Sequence, residues 1–131
     1  MNQDYLESET TDSFDLILMI MCDFCAPSPT QRKAMLGEFR GMLKPGGAVL
    51  LDVCSMKASD QRAETAKYEV NLMDGFWSPD RYCGFLNTFK YEEESVVLDK
   101  DTVVERSGTR TVYNWLQYFS AGGLERELFE A

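Results

Sequence analysis

From Phe14 to Met21 the chain runs Phe-Asp-Leu-Ile-Leu-Met-Ile-Met, apolar at every position but one. A strand wet on one face alternates, so this run predicts a strand covered on both faces, as in the middle of a parallel sheet. Next, Ser28-Pro-Thr-Gln31 carries three coincident signals of a helix start. Ser28 is an N-cap, Pro29 takes the first helical position, and Gln31 stands where it closes a capping box. Met35, Leu36, Phe39, Met42 and Leu43 then share one helical face, with Arg32, Lys33, Glu38 and Arg40 mostly on the other. The helix is expected to stop at Lys44-Pro-Gly-Gly47, where a tight turn feeds a second apolar strand, Ala48–Cys54. A strand, helix and strand of these lengths predict a right-handed βαβ unit with adjacent parallel strands.

Beyond Cys54 the pattern changes. Met56 to Val70 is polar and helix-prone without a wide apolar stripe, and Asp74-Gly-Phe-Trp-Ser-Pro-Asp80 interrupts regular structure. From Tyr82 the period becomes two. Gly84–Tyr91, Val96–Glu105 and Arg110–Phe119 read as three antiparallel strands joined at Glu92–Ser95 and Ser107–Thr109. Along the last of them Tyr113, Trp115 and Gln117 share one face, and Asn114, Leu116 and Tyr118 the other. Leu124–Phe129 begins an amphipathic helix. The expectation is one α/β domain over 1–131: a parallel core to residue 55, a lid-like helical segment over 56–80, an antiparallel sheet over 81–120, and the start of a C-terminal helix over 121–131.

Charge narrows the partners. Twenty-two acidic against 13 basic side chains give a formal charge of -9, which repels phosphate backbones and anionic headgroups. Neither nucleic acid nor a membrane is expected as a partner. The longest apolar run falls well short of the ~20 residues that span a bilayer. Residues 1–15 lack the basic and apolar regions of a signal peptide. A cytoplasmic protein is the resulting expectation. The chain contains no histidine, the commonest general base and metal ligand.

Cys22-Asp-Phe-Cys25 has C-x-x-C spacing, but no second pair follows at zinc-site spacing, and the remaining cysteines are Cys54 and Cys83. Buried reduced thiols are the plainer account, and a redox dithiol of Cys22 and Cys25 the sharper one. Glu92-Glu-Glu94 is a solvated turn rather than an ion site, so no metal is expected.

Two segments together carry a family resemblance. "DSFDLILMIMCDF" followed by "MLGEFRGMLKPGGAVLLDV" resembles the fourth strand, next helix and fifth strand of class I S-adenosylmethionine-dependent methyltransferases. The stretch from Gly75 to Ser120 resembles the antiparallel substrate-side insertion some small-molecule members carry after the fifth strand. The resemblance implies a partial Rossmann-like methyltransferase sheet, followed by a three-stranded meander and a helix. It also implies S-adenosylmethionine as cofactor and a small molecule as substrate. Asp4, in the segment similar to that after the family's third strand, would accept from the adenine amino group, with Tyr5 beside it. Cys22 and Phe24 would flank the cofactor at the strand end, and Asp23 between them would orient the acceptor's nucleophile. Trp77, Arg81, Tyr82, Tyr113 and Trp115 are the candidate substrate contacts, Arg81 as a clamp for a carboxylate.

The family's Gly-rich loop, the acidic residue that holds the ribose, and the last two strands have no counterpart here. The expectation is therefore a truncated methyltransferase that is inactive as this chain. The competing expectation is a non-catalytic oligomerising or ligand-binding module, dimeric through an exposed sheet edge.

Overall fold

The computed structural model of the chain describes residues 14–130, and the candidates Asp4 and Tyr5 lie outside them. The chain divides into two compact units. One takes the described residues up to Ser55 and those from Phe119 onward; the other is Met56–Tyr118.

In the first unit β1 (Phe14–Met19) and β2 (Leu43–Leu51) pair in parallel, from Leu16 against Ala48 to Met19 against Leu51. Between them runs α1 (Pro29–Met42), started as its sequence dictates. Ser28 Oγ accepts from the Gln31 N–H at 3.4 Å, and Gln31 Oε1 accepts from the Ser28 N–H at 2.9 Å. The helix ends at Met42, ahead of the expected stop, because Leu43 is already extended and pairs with Phe14. Lys44-Pro-Gly-Gly47 is then the irregularity between that pair and the regular ladder. Gly46 has φ +83°, and a Cβ on Gly47 would stand 3.1 Å from the Phe14 carbonyl oxygen. The glycine pair is thus a matter of chain geometry.

Two expectations change here. Leu16, Leu18 and Ile20 are exposed, so β1 is covered on one face only among the described residues. Arg32, assigned to the wet face of α1, is buried with Met35 and Phe39, at 2% exposure. Its Nε and an Nη donate to the carboxylate of Glu127, and the other Nη donates to the Pro27 carbonyl at 2.6 Å. The guanidinium carbon lies 5.6 Å from the ring centre of Phe24 and 5.1 Å from that of Phe119. A buried cation is tolerable when paired and hydrogen-bonded in this way. Glu127 belongs to α3 (Ala121–Phe129), which starts ahead of Leu124 because Ser120 Oγ caps the Gly123 N–H at 3.1 Å. Just before it, the Phe119 N–H donates to the Cys54 carbonyl at 2.8 Å, and Ser55 and Phe119 form a parallel bridge.

The second unit holds α2 (Met56–Asp60) and an antiparallel sheet in chain order: β3 (Thr65–Val70), β4 (Cys83–Tyr91), β5 (Val96–Glu105) and β6 (Gly108–Gln117). The helical expectation for 56–80 survives only in α2; Thr65–Val70 is a strand, so the sheet has four strands and not three. Every residue of β3 is exposed, so no buried alternation marks it. What fixes it is pairing to β4, including Tyr68 stacked on Phe85 at 5.8 Å.

The register separates the two faces of this sheet. One carries Leu86, Thr88, Val97, Asp99, Asp101 and Val103, packed with Leu72, Tyr82 and Trp77. A Cβ on Gly84 would come within 2.5 Å of the Leu72 Cβ, so Leu72 sits directly on that glycine. Asp99 is held by Arg62 at 2.6 Å and by the Thr88 hydroxyl at 2.6 Å. The other face carries Tyr68, Phe85, Phe89, Tyr91, Tyr113 and Trp115, all exposed. No helix among the described residues is long and apolar enough to cross a membrane.

Replacing Glu127 by Ala leaves the Arg32 charge buried without its carboxylate, and is expected to lower stability by about 3 kcal/mol. The double variant Arg32→Met, Glu127→Leu should recover most of that loss in chemical denaturation. A Glu127→Ala variant as stable as the parent would show the pair to be unimportant.

Candidate functional site at the strand ends

The carboxyl ends of β1 and β2 lie side by side, and the loops leaving them carry the chemically distinctive side chains of the first unit. Ligands of open α/β sheets bind at such ends. Met21 and Cys22 both have positive φ, 69° and 60°, which costs a non-glycine residue energy unless its surroundings enforce it. Asp52, just past β2, enforces it. Its carboxylate accepts from the Met21 N–H at 3.2 Å and the Cys22 N–H at 2.7 Å.

A single 3-10 turn follows over Asp23–Cys25, closed by the Cys25 N–H donating to the Cys22 carbonyl at 2.9 Å. Asp23 is exposed and lines one end of an apolar hollow of about 420 Å³ alongside β1, shared with Leu18, Ile20, Phe39 and Met42. Phe24 is fully buried, its ring 5.8 Å from that of Phe119 and beneath Arg32. It serves the core and offers no face to a cofactor. Cys22 is half-buried, so the expected trio of Cys22, Asp23 and Phe24 is split, with only the first two facing outward in part.

Cys54 was not foreseen at this place. The Sγ atoms of Cys22, Cys25 and Cys54 lie within 4.8 Å of one another, and Cys25 Sγ accepts from the Cys54 N–H at 3.1 Å. The ladder register brings Cys54 there: Met19 pairs with Leu51, and Cys22 and Cys54 each stand three residues beyond. Burial raises all three thiols above their ordinary value. Cys22 is pushed up to about 11, by desolvation first and by Cys54 next.

The five expected substrate contacts fall on different surfaces of the second unit. Tyr113 and Trp115 share the exposed aromatic face, with Tyr91 5.7 Å from Trp115. Tyr82 is buried on the opposite face; its hydroxyl donates to the Leu72 carbonyl and accepts from the Trp77 N–H at 3.4 Å. Trp77 packs beside it, edge-on to Phe76 at 5.0 Å. Both are pillars of the core. Arg81 is exposed beside a hollow it shares with Asp80, Glu105, Arg106 and Ser107. The Glu105 carboxyl there is held below its usual range by a hydrogen bond from Ser78 and by the charge of Arg110. Asp101, in contrast, is buried with one carboxylate oxygen unpartnered, and burial raises it, with Asp99 adding to the effect.

No protein-family model matches the sequence, and no curated protein does. Solved structures do match. Over 97% of its length the chain resembles an S-adenosylmethionine-dependent methyltransferase from Clostridium acetobutylicum, at 16% identity and TM-score 0.67, covering 50% of that protein. The CcbJ methyltransferase from Streptomyces caelestis gives 12% identity and TM-score 0.63, with 98% of this chain and 50% of that one covered. The sugar N-methyltransferase KedS8 from a Streptoalloteichus species gives 13% and 0.60, with 98% and 51% covered. The chain thus spans about half the length of the structures it matches. It has the α/β fold of that half, and the resemblance read from "FDLILM" and "LKPGG" is borne out at the level of fold.

Because alkylation consumes the thiolate, Cys22 should react with iodoacetamide more slowly than an ordinary thiol at pH 8. Its rate should keep climbing toward pH 11 instead of levelling near 9.0. Peptide mass spectrometry of the modified chain reads this directly, and a plateau near 9.0 would contradict the burial described.

Proposed function

We propose that the chain forms one half of an S-adenosylmethionine-dependent methyltransferase acting on a small molecule, and does not bind the cofactor tightly alone. The observation that carries this is the likeness of nearly the whole chain to about half of several methyltransferases, one of them a sugar N-methyltransferase. Asp23 is the residue proposed to orient the acceptor's nucleophile, from its exposed position past the end of β1. In the second unit, Tyr113 and Trp115 offer uncovered aromatic surface for stacking against a substrate ring.

The residues described do not by themselves fit the cofactor. Phe24 is withdrawn into the core, Cys22 is half-buried, and among the described residues no glycine-rich loop approaches the strand ends. Calorimetric titration of the chain with S-adenosylmethionine is expected to give no binding at micromolar concentrations. Micromolar binding would overturn the proposal that this chain alone cannot hold it. In a longer protein that does turn over, Asp23→Asn is expected to lower kcat by about 10²-fold or more while leaving cofactor affinity intact.

One observation favours a second reading, self-association through the first unit. Phe14, Leu16 and Leu18 of β1, with Ile20 just past its end, are exposed apolar side chains lining one hollow, and the outer edge of β1 is unpaired among the described residues. Sedimentation velocity should then show a dimer that Leu18→Lys dissociates. A monomer at all accessible concentrations would rule this out.

A further inference from the structure

We propose that Cys22, Cys25 and Cys54 form a zinc site with three thiolate ligands and an open fourth position. The inference rests on the first unit alone and is independent of the methyltransferase reading.

Zinc bound tetrahedrally at about 2.3 Å from each sulfur requires sulfur atoms about 3.8 Å apart. The three Sγ atoms already lie within 4.8 Å of one another, so small side-chain rotations close the gaps. Cys22 and Cys54 are half-buried, and Cys25 is buried and serves as the fixed corner.

The surroundings are arranged for ligands rather than for three packing thiols. Asp52 clamps two successive left-handed residues so that Cys22 is presented from the end of β1. The 3-10 turn brings Cys25 back toward it, and the Cys54 N–H points at the Cys25 sulfur. N–H donors to sulfur help a coordinated thiolate carry its charge, as outer-shell bonds do around other metal ligands.

The donor set selects the ion. Three sulfurs and no imidazole exclude the hard cations, which take oxygen, and favour thiophilic ones. A disulfide between any two of these residues would strand the third thiol, whereas a zinc ion uses all three. Binding involves no electron transfer: three Zn–S bonds form, three thiol protons pass to solvent, and water takes the remaining position. Three protein ligands plus an exchangeable one is the pattern of reactive zinc sites and not of closed structural ones.

The test uses the whole chain, reduced with a phosphine and kept anaerobic. Cobalt(II) is the spectroscopic probe and zinc the competitor. One equivalent of cobalt should produce sulfur-to-metal charge-transfer absorption, and one equivalent of zinc should abolish it. Zinc should also shield Cys22 and Cys54 from alkylation while leaving Cys83, equally half-buried on β4, unprotected. Cys54→Ser should weaken binding by at least about tenfold, and Cys83→Ser should leave it unchanged. Absence of the charge-transfer band at one equivalent would overturn the site. So would protection spread equally to Cys83, or a Cys54→Ser variant that binds like the parent. The protection measurement needs no substitution and decides the matter even if a variant folds poorly.

Discussion

Two parallel strands cannot be joined by a tight turn, and most of the first unit follows from that constraint. Having run along β1, the chain must leave the sheet, cross over as α1 and re-enter beside its starting point. Both strands therefore end at the same side, and whatever follows each of them is brought together. Cys22 and Cys54 meet because their parent residues, Met19 and Leu51, are partners in the ladder. Asp52 reaches the backbone of Met21 and Cys22 for the same reason. The turn at Lys44–Gly47 lies at the opposite end of the pair, which separates its glycines from any chemistry.

The crossover helix is secured by polar means as well as apolar ones. Met35, Phe39 and Met42 supply the expected apolar stripe, but the connection to α3 depends on Arg32. Its guanidinium lies over two neighbouring aromatic rings and is satisfied by one carboxylate and one carbonyl. Such an arrangement adds little net stability over a well-packed apolar substitute, while loss of one partner alone is costly. It fixes where α3 docks with a directionality that methylenes lack.

Local signals in the sequence were strong where the physics is local. The Ser28-Pro29-Gln31 helix start, the apolar strands and the period-two hairpins all lie within a few residues of their causes, and each element stands close to where it was expected. Three features depended on distant partners and were not legible. Arg32 pairs with a carboxylate 95 residues away. β3 gains its structure from β4 while burying none of its own side chains, so composition alone favoured a helix there. The division of Tyr82 and Trp77 from Tyr113 and Trp115 depends on register, because aromatic residues look alike in sequence whether they build a core or face water. In the candidate site, Asp23 was found by its place after a strand, whereas Cys54 required knowing which residues of two strands are neighbours.

The bridge between Ser55 and Phe119 gives the chain a modular character. The first unit releases the backbone at one residue and receives it back at an adjacent one, with all of Met56–Tyr118 strung between. An insertion whose two ends meet imposes little strain on its host, so its length and contents are free to drift. The βαβ frame can stay constant while the inserted sheet is recast, a route by which one scaffold comes to present different surfaces without rebuilding its foundations.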